Sequence, residues 1–144
     1  MPLVANSALP TFERLRREGE VVVPGDAALH QDIRELHIGL LNMMPDTALA
    51  ATERQFFRLI GESNQIAQFY MHPFTLDALK RGPEGRAHVE QYYESFDQIK
   101  ALGLDALIIS GANVTQPDLA KEPFWEPLIE VIDWAYANVT STIC

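Results

Sequence analysis

The sequence predicts an α/β fold, a doubly wound and mostly parallel sheet, on three observations. Short apolar runs ended by turn-forming residues recur at Leu36–Asn42, Ile66–Met71 and Ala106–Ile109, and such runs suit strands buried in a sheet. Between them lie stretches with apolar residues at helical spacing, not the tight turns of hairpins. The run Ala106–Ile109, with two adjacent isoleucines, ends at Ser110-Gly111 and leads toward a helix, so its neighbour should lie parallel.

Taken in order, Met1 to Gln31 is punctuated by Pro2, Pro10, Pro24 and Gly25. Thr11–Gly19 reads as two helical turns capped by Thr11 and stopped by Gly19, and Glu20–Val23 as a short edge strand. Residues 1–35 are therefore expected to form an arm packed on a single α/β unit spanning 36–144. Leu36–Asn42 is the first well-formed strand, and Gly39 within it suggests a close backbone approach. A helix should follow, capped by Asp46 or Thr47 and stopped by Gly61, with Leu49, Thr52, Phe56, Leu59 and Ile60 on its inner face. Ile66–Met71 is the next strand, ended by His72-Pro73. Leu79–Gly85 reads as a loop and His88–Gly103 as one helix. After the central strand, Pro123–Asn138 is a helix with Trp125, Leu128, Ile129, Ile132 and Tyr136 on one apolar face, and Val139–Cys144 is a last strand.

Composition narrows the function classes. Of 144 residues, 47% are hydrophobic, enough for a core. Twenty acidic residues against eleven basic ones leave a formal charge of −9, which argues against nucleic acid or an anionic membrane as the main partner. The apolar runs fall short of the roughly 20 residues of a membrane span, and the first twenty residues lack the order of a signal peptide. A cytoplasmic enzyme or binding domain is the expectation. The single cysteine, Cys144, excludes an internal disulfide.

His30, His37, His72 and His88 show no metal-ligand spacing, and the phosphate-binding glycine motifs are missing. His37 and His88 read as structural. His72, taken to follow a strand end, is the histidine with most functional promise. Cys144 reads as a small buried strand residue, because a nucleophilic cysteine is usually set against a helix N-terminus. Asn113-Val114-Thr115 and Asn138-Val139-Thr140 match the glycosylation sequon by chance, while Met43 and Met44 read as core. Gly111 allows a sharp turn beyond the central strand, where open parallel sheets bind ligands. That turn could aim the Ala112 and Asn113 amides into a cleft, as an oxyanion hole requires.

Several stretches together resemble one family. Leu40-Leu41-Asn42-Met43-Met44-Pro45, Thr52-Glu53-Arg54-Gln55-Phe56, Leu107-Ile108-Ile109-Ser110-Gly111-Ala112, Trp134 and Val139-Thr140-Ser141-Thr142 look like the homoserine O-acyltransferases, often called homoserine O-succinyltransferases. The resemblance runs from about Leu36 to the last residue. It implies a flavodoxin-like sheet similar to that of class I glutamine amidotransferases. It also implies acyl transfer from succinyl-CoA or acetyl-CoA to the hydroxyl of L-homoserine, in methionine biosynthesis. A cysteine takes the acyl group first, and a histidine supported by a glutamate then activates the acceptor hydroxyl.

Carried onto this chain, the resemblance makes Gly111 and Ala112 the oxyanion-side backbone. Asn113 stands where many members have proline. Thr115 stands where members carry glycine or glutamate, a position associated with acyl-donor choice, and it matches neither. Asp46-Thr47 follow Met-Pro where the family often has lysine. The family's nucleophile would fall two residues beyond Cys144, with the histidine and glutamate further on. The chain thus resembles the N-terminal part of such an enzyme, its sheet truncated at the C-terminus, and alone it is expected to be inactive. The implied partners are L-homoserine and acyl-CoA, the latter as co-substrate, with no resident cofactor or metal and a homodimer as candidate assembly. A relative acylating L-serine and a non-catalytic interaction module of the same fold remain as alternatives. A sheet edge left open at Val139–Ile143 predicts low solubility or self-association of the isolated chain.

Overall fold

A computed structural model describes residues 3–28 and 34–144. Six strands form one all-parallel sheet: β1 (Leu3–Ala5), β2 (Val22–Pro24), β3 (Glu35–Leu41), β4 (Gln68–Phe74), β5 (Ala106–Ile109) and β6 (Ser141–Ile143). Their order across the sheet is β2-β1-β4-β3-β5-β6. The helices are α1 (Pro10–Arg17), α2 (Gly25–Ala28), α3 (Asp46–Ser63), α4 (Pro83–Tyr92), α5 (Phe96–Leu102) and α6 (Trp125–Asn138), with a 3-10 turn at Leu119–Lys121.

Alternation along β3 sorts the core into two layers. Ile38 and Leu40 join Phe69, Met71 and Ile108 on one face, beneath Phe12 and Leu15 of α1 and Phe57 of α3. Leu41, Phe74, Leu107 and Ile109 point to the other face, where Ile99 of α5 and Leu128, Val131 and Ala135 of α6 cover them. Both faces of β5 are buried, as its apolar run predicts. Gly39 lies where a β-carbon would meet Leu104 Cδ1 at 2.4 Å, so what comes close there is packed side chains and not another backbone.

Several boundaries differ from the sequence reading, each for a physical reason. β1 is not foreseen: three residues carry too little pattern, yet Leu3 and Val4 are buried beside β2 and β4. Gly19, at φ 90°, does stop α1, but Thr11 lies inside that helix and its hydroxyl bonds elsewhere. Neither Asp46 nor Thr47 caps α3, because Asp46 is already helical and its carboxylate is taken by Arg81 and the Gly82 amide. Gly61 does not stop α3, which continues to Ser63. It gives Leu3 room, since a β-carbon there would lie 3.0 Å from Leu3 Cγ. The inner face of α3 is Leu49, Thr52, Glu53, Phe57 and Gly61, with Leu59 exposed.

The stretch read as one helix over His88–Gly103 is two. Glu94 bridges to β4 through its amide on the Pro73 carbonyl, and Ser95 with Gln98 forms a capping box that starts α5. Gly103, at φ 78°, ends it. His72 and Pro73 lie within β4, not after it. Pro73 is tolerated there because its carbonyl serves Glu94 while β3 bonds through the neighbouring residues. α6 begins at Trp125, past Pro123, and Ile132 and Tyr136 are exposed, Tyr136 by 94%. β6 is exposed throughout, and Cys144 is exposed, not buried. Among the described residues, no helix is long and apolar enough to cross a membrane.

The packing at Gly39 gives a direct test. Gly39→Val forces Leu104 and Leu107 off their positions and should cost about 1–3 kcal/mol in urea unfolding, with the denaturant slope unchanged.

Candidate functional site

The chain leaves β3 for β4 on one side and later returns to β5 on the other, so the strand order, not the strand direction, reverses between β3 and β5. Two neighbouring strand ends there send their connections to opposite sides and leave a crevice. Ser110 joins them: its amide donates to the Leu41 carbonyl (3.0 Å), while its hydroxyl accepts from the Met43 amide (2.8 Å) and donates to the Gly111 carbonyl (2.9 Å). Beyond lies a cavity of about 310 Å³ lined by Met43, Met44, Arg81, Asn113, Thr115 and Phe124 among others.

The segment read as oxyanion-side backbone, Gly111 and Ala112, leaves β5 at this crevice. Ala112 packs partly against the second core layer, and Gly111 is exposed. Gly111 does not use the left-handed backbone region, since among the described residues only Gly19 and Gly103 have positive φ. Nor does packing require a glycine: a β-carbon would meet only Met44 Sδ, at an ordinary 3.8 Å. Asn113 and Thr115 share the cavity wall. Their loop is held by Glu122, 6% exposed, whose Oε1 accepts from the Thr115 amide (2.5 Å) and the Gln116 amide (2.7 Å).

The opposite wall depends on Arg81, whose side chain is 6% exposed. Its Nη1 donates to the Met44 carbonyl and Asp46 Oδ1, both at 3.0 Å. Its Nη2 donates to the Asn42 carbonyl (3.2 Å) and Thr75 Oγ1 (2.9 Å). One guanidinium therefore ties the end of β3 to the start of α3 and the loop after β4, which its planar fork suits better than an ammonium. Asp46 Oδ2 also accepts from the Gly82 amide (2.7 Å), fixing the entrance to α4.

Glu53 is fully buried on α3. Thr11 Oγ1 donates to its Oε2 at 2.7 Å, and His88 Nε2 lies 2.8 Å from its Oε1. The Tyr93 hydroxyl donates to Oε1 as well, and Asn42 Nδ2 donates to that hydroxyl (3.1 Å) and to the Leu49 carbonyl (3.0 Å). Burial, then the nearby Glu53 carboxylate, pushes the Tyr93 phenol far above its ordinary value of 10.0. His88 lies within α4, not at its start.

The structure keeps His72 away from the crevice. It is buried in β4 with Nε2 2.8 Å from His37 Nδ1 and Nδ1 2.7 Å from Glu94 Oε1. His72 therefore does not follow a strand end, and its ring belongs to a stack of His37 on Tyr70 and on His72. His30 lies outside the described residues, and no group of metal-ligating side chains is found among those described. Sequence reasoning missed Arg81, Glu122 and the role of Glu53. Only Glu53 left a signal, a carboxylate among the inward positions of a helix.

The family model for homoserine O-succinyltransferase matches residues 2–144. Among curated relatives, proteins named homoserine O-succinyltransferase from Allochromatium vinosum and Thioalkalivibrio nitratireducens are 79% and 78% identical across all of this chain. One from Cardiobacterium hominis, of the same name, is 53% identical over the same 144 residues. The chain spans about two fifths of the length of these relatives, 40% for the first two and 41% for the third.

The Glu53 cluster sets an alkaline limit on stability. A phenol whose folded pKa lies above 10.0 contributes stability that is complete below pH 10 and is lost as pH rises beyond it. Above pH 10, wild-type unfolding free energy should therefore fall by up to about 1.4 kcal/mol per pH unit more steeply than that of Tyr93→Phe. At neutral pH the same variant should be less stable by roughly 1–2 kcal/mol, since Glu53 and Asn42 each lose a partner.

Proposed function

The chain belongs to the homoserine O-succinyltransferase family, and from that premise we propose that it forms the acyl-binding side of a ping-pong acyltransferase. The reaction moves a succinyl group from succinyl-CoA to the hydroxyl of L-homoserine, a step of methionine biosynthesis. In this reading a cysteine thiolate attacks the thioester carbonyl, forming an S–C bond as the carbonyl electrons move to oxygen. Collapse expels the CoA thiolate and leaves an acyl-cysteine. The homoserine hydroxyl, its proton taken by a histidine held by a glutamate, then attacks the same carbon, and the cysteine thiolate leaves. The cysteine, histidine and glutamate belong to the part of the family pattern that follows Cys144.

The observation that carries this proposal is the register of β6 on β5. Ala106, Leu107 and Ile108 stand opposite Ser141, Thr142 and Ile143. Continued without a bulge, that ladder sets Cys144 level with Ile109 and the second position after it level with Gly111. The family pattern puts its nucleophile at that second position. A thiolate there would face the backbone of Gly111 and Ala112, whose amides would stabilise the oxyanion. Met43, Met44 and Phe124 give the cavity an apolar wall for the acyl chain, and Asn113 and Thr115 give it polar contacts.

Gly111 supports the same reading from the opposite direction. Neither its backbone angles nor its packing needs a glycine, so the space above it is the reason left for one. Gly111→Ala in the whole protein should leave thermal stability unchanged or slightly raised, because the β-carbon fits. Succinyl transfer to homoserine, followed by CoA release, should fall by at least about a hundredfold if that carbon crowds the oxyanion. A wild-type whole protein that forms no acyl-cysteine by mass spectrometry with succinyl-CoA would sink the proposal.

A further inference from the structure

We propose that Lys80 is a specificity-determining residue whose ammonium pairs with the terminal carboxylate of the acyl donor. The inference rests on the acyl-transfer reading and goes further by saying why a dicarboxylic acyl group would be chosen over acetyl. It starts from the charges around the crevice cavity, which is lined by two cations, Lys80 and Arg81, and by one carboxylate, Glu122. Arg81 has nothing left to offer an anion from its outer nitrogens, because both Nη atoms are spent on Met44, Asp46, Asn42 and Thr75. Glu122 repels little, because its Oε1 takes the Thr115 and Gln116 amides. Lys80 forms no ion pair among the described residues, although the protein carries a formal charge of −9 and acidic partners abound.

An unpaired ammonium on the wall of a partly apolar cavity is a point charge on a flexible stem, suited to a carboxylate at the end of a short acyl chain. The rest of the wall fits that length of ligand. Met43, Met44 and Phe124 can line a methylene chain, while the Thr115 hydroxyl and the Asn113 and Gln116 amides offer neutral contacts. An acetyl group would use the apolar wall and ignore Lys80. The position is also held in place: Arg81 is anchored to the end of β3, and Gly82 to Asp46, so the chain at residue 80 cannot drift from the cavity.

The test is donor competition in the whole protein, comparing wild type with Lys80→Met and Lys80→Arg. Lys80→Met should reduce kcat/KM for succinyl-CoA by about tenfold or more while leaving acetyl-CoA turnover and the KM for homoserine unchanged, as loss of one charge pair at a partly open site predicts. Lys80→Arg should recover most of the succinyl preference, and added salt should erode the preference in wild type but not in Lys80→Met. An equal loss with both donors, or a change confined to the homoserine KM, overturns the assignment and leaves acyl transfer standing. If wild type transfers neither acyl group, the inference falls together with the reading beneath it.

Discussion

The buried carboxyl group of Glu53 is the constraint to which most of this molecule answers. An acidic side chain excluded from water is costly unless its oxygens are satisfied, and here three donors from three different parts of the chain converge on it. Thr11 brings α1, His88 brings α4, and Tyr93 brings the linker into α5. Through Tyr93 and Asn42 the same group reaches the end of β3, where the crevice opens. Removing any one donor leaves the others partnered, but removing the acceptor would strand them all. The cluster thus sets how α1, α3 and α4 lie together.

Arg81 performs the complementary task at the crevice. Its four contacts gather the end of β3, the first residue of α3 and the loop after β4, so the short β3–α3 connection is tied to a loop some thirty residues further along the chain. Glu122 does the same for the loop after β5 with a single carboxylate oxygen. The crevice is therefore shaped by two charged side chains that are mostly withdrawn from solvent. Arg81 and Glu122 use their charge to hold backbone in place, while Lys80 on the same cavity wall forms no ion pair among the described residues.

What could be read in the sequence follows from where the information is stored. Apolar runs such as Ala106–Ile109 report strands because burial on both faces demands them, and Gly39 reports a close approach because only a missing β-carbon permits it. Periodicity failed where a polar contact outranked it. Thr11 and Asp46 look like helix caps but are recruited into tertiary bonds, and the stretch after His88 is cut in two by one amide of Glu94 on β4. The apolar face assigned to α6 was rotated, since Val131 and Ala135 are buried while Ile132 and Tyr136 are not. At the site, the segment 111–115 was legible from strand-end logic and family likeness, whereas Arg81 and Glu122 were not. An arginine and a glutamate in loops carry no local sign that both will be buried.

The strand order also has a bearing on how the chain reaches this state. Leu3 lies beside Val22 on one side and Phe69 on the other, so the first strand made is sandwiched between a near neighbour and a distant one. A two-stranded parallel pair of three-residue strands has little stability of its own. The opening segment must therefore wait, unsettled, until β4 exists to receive it, and its apolar Leu3 and Val4 stay available to other partners meanwhile. Early residues thus become ordered late, and the Thr11 hydroxyl that completes the Glu53 cluster arrives with them.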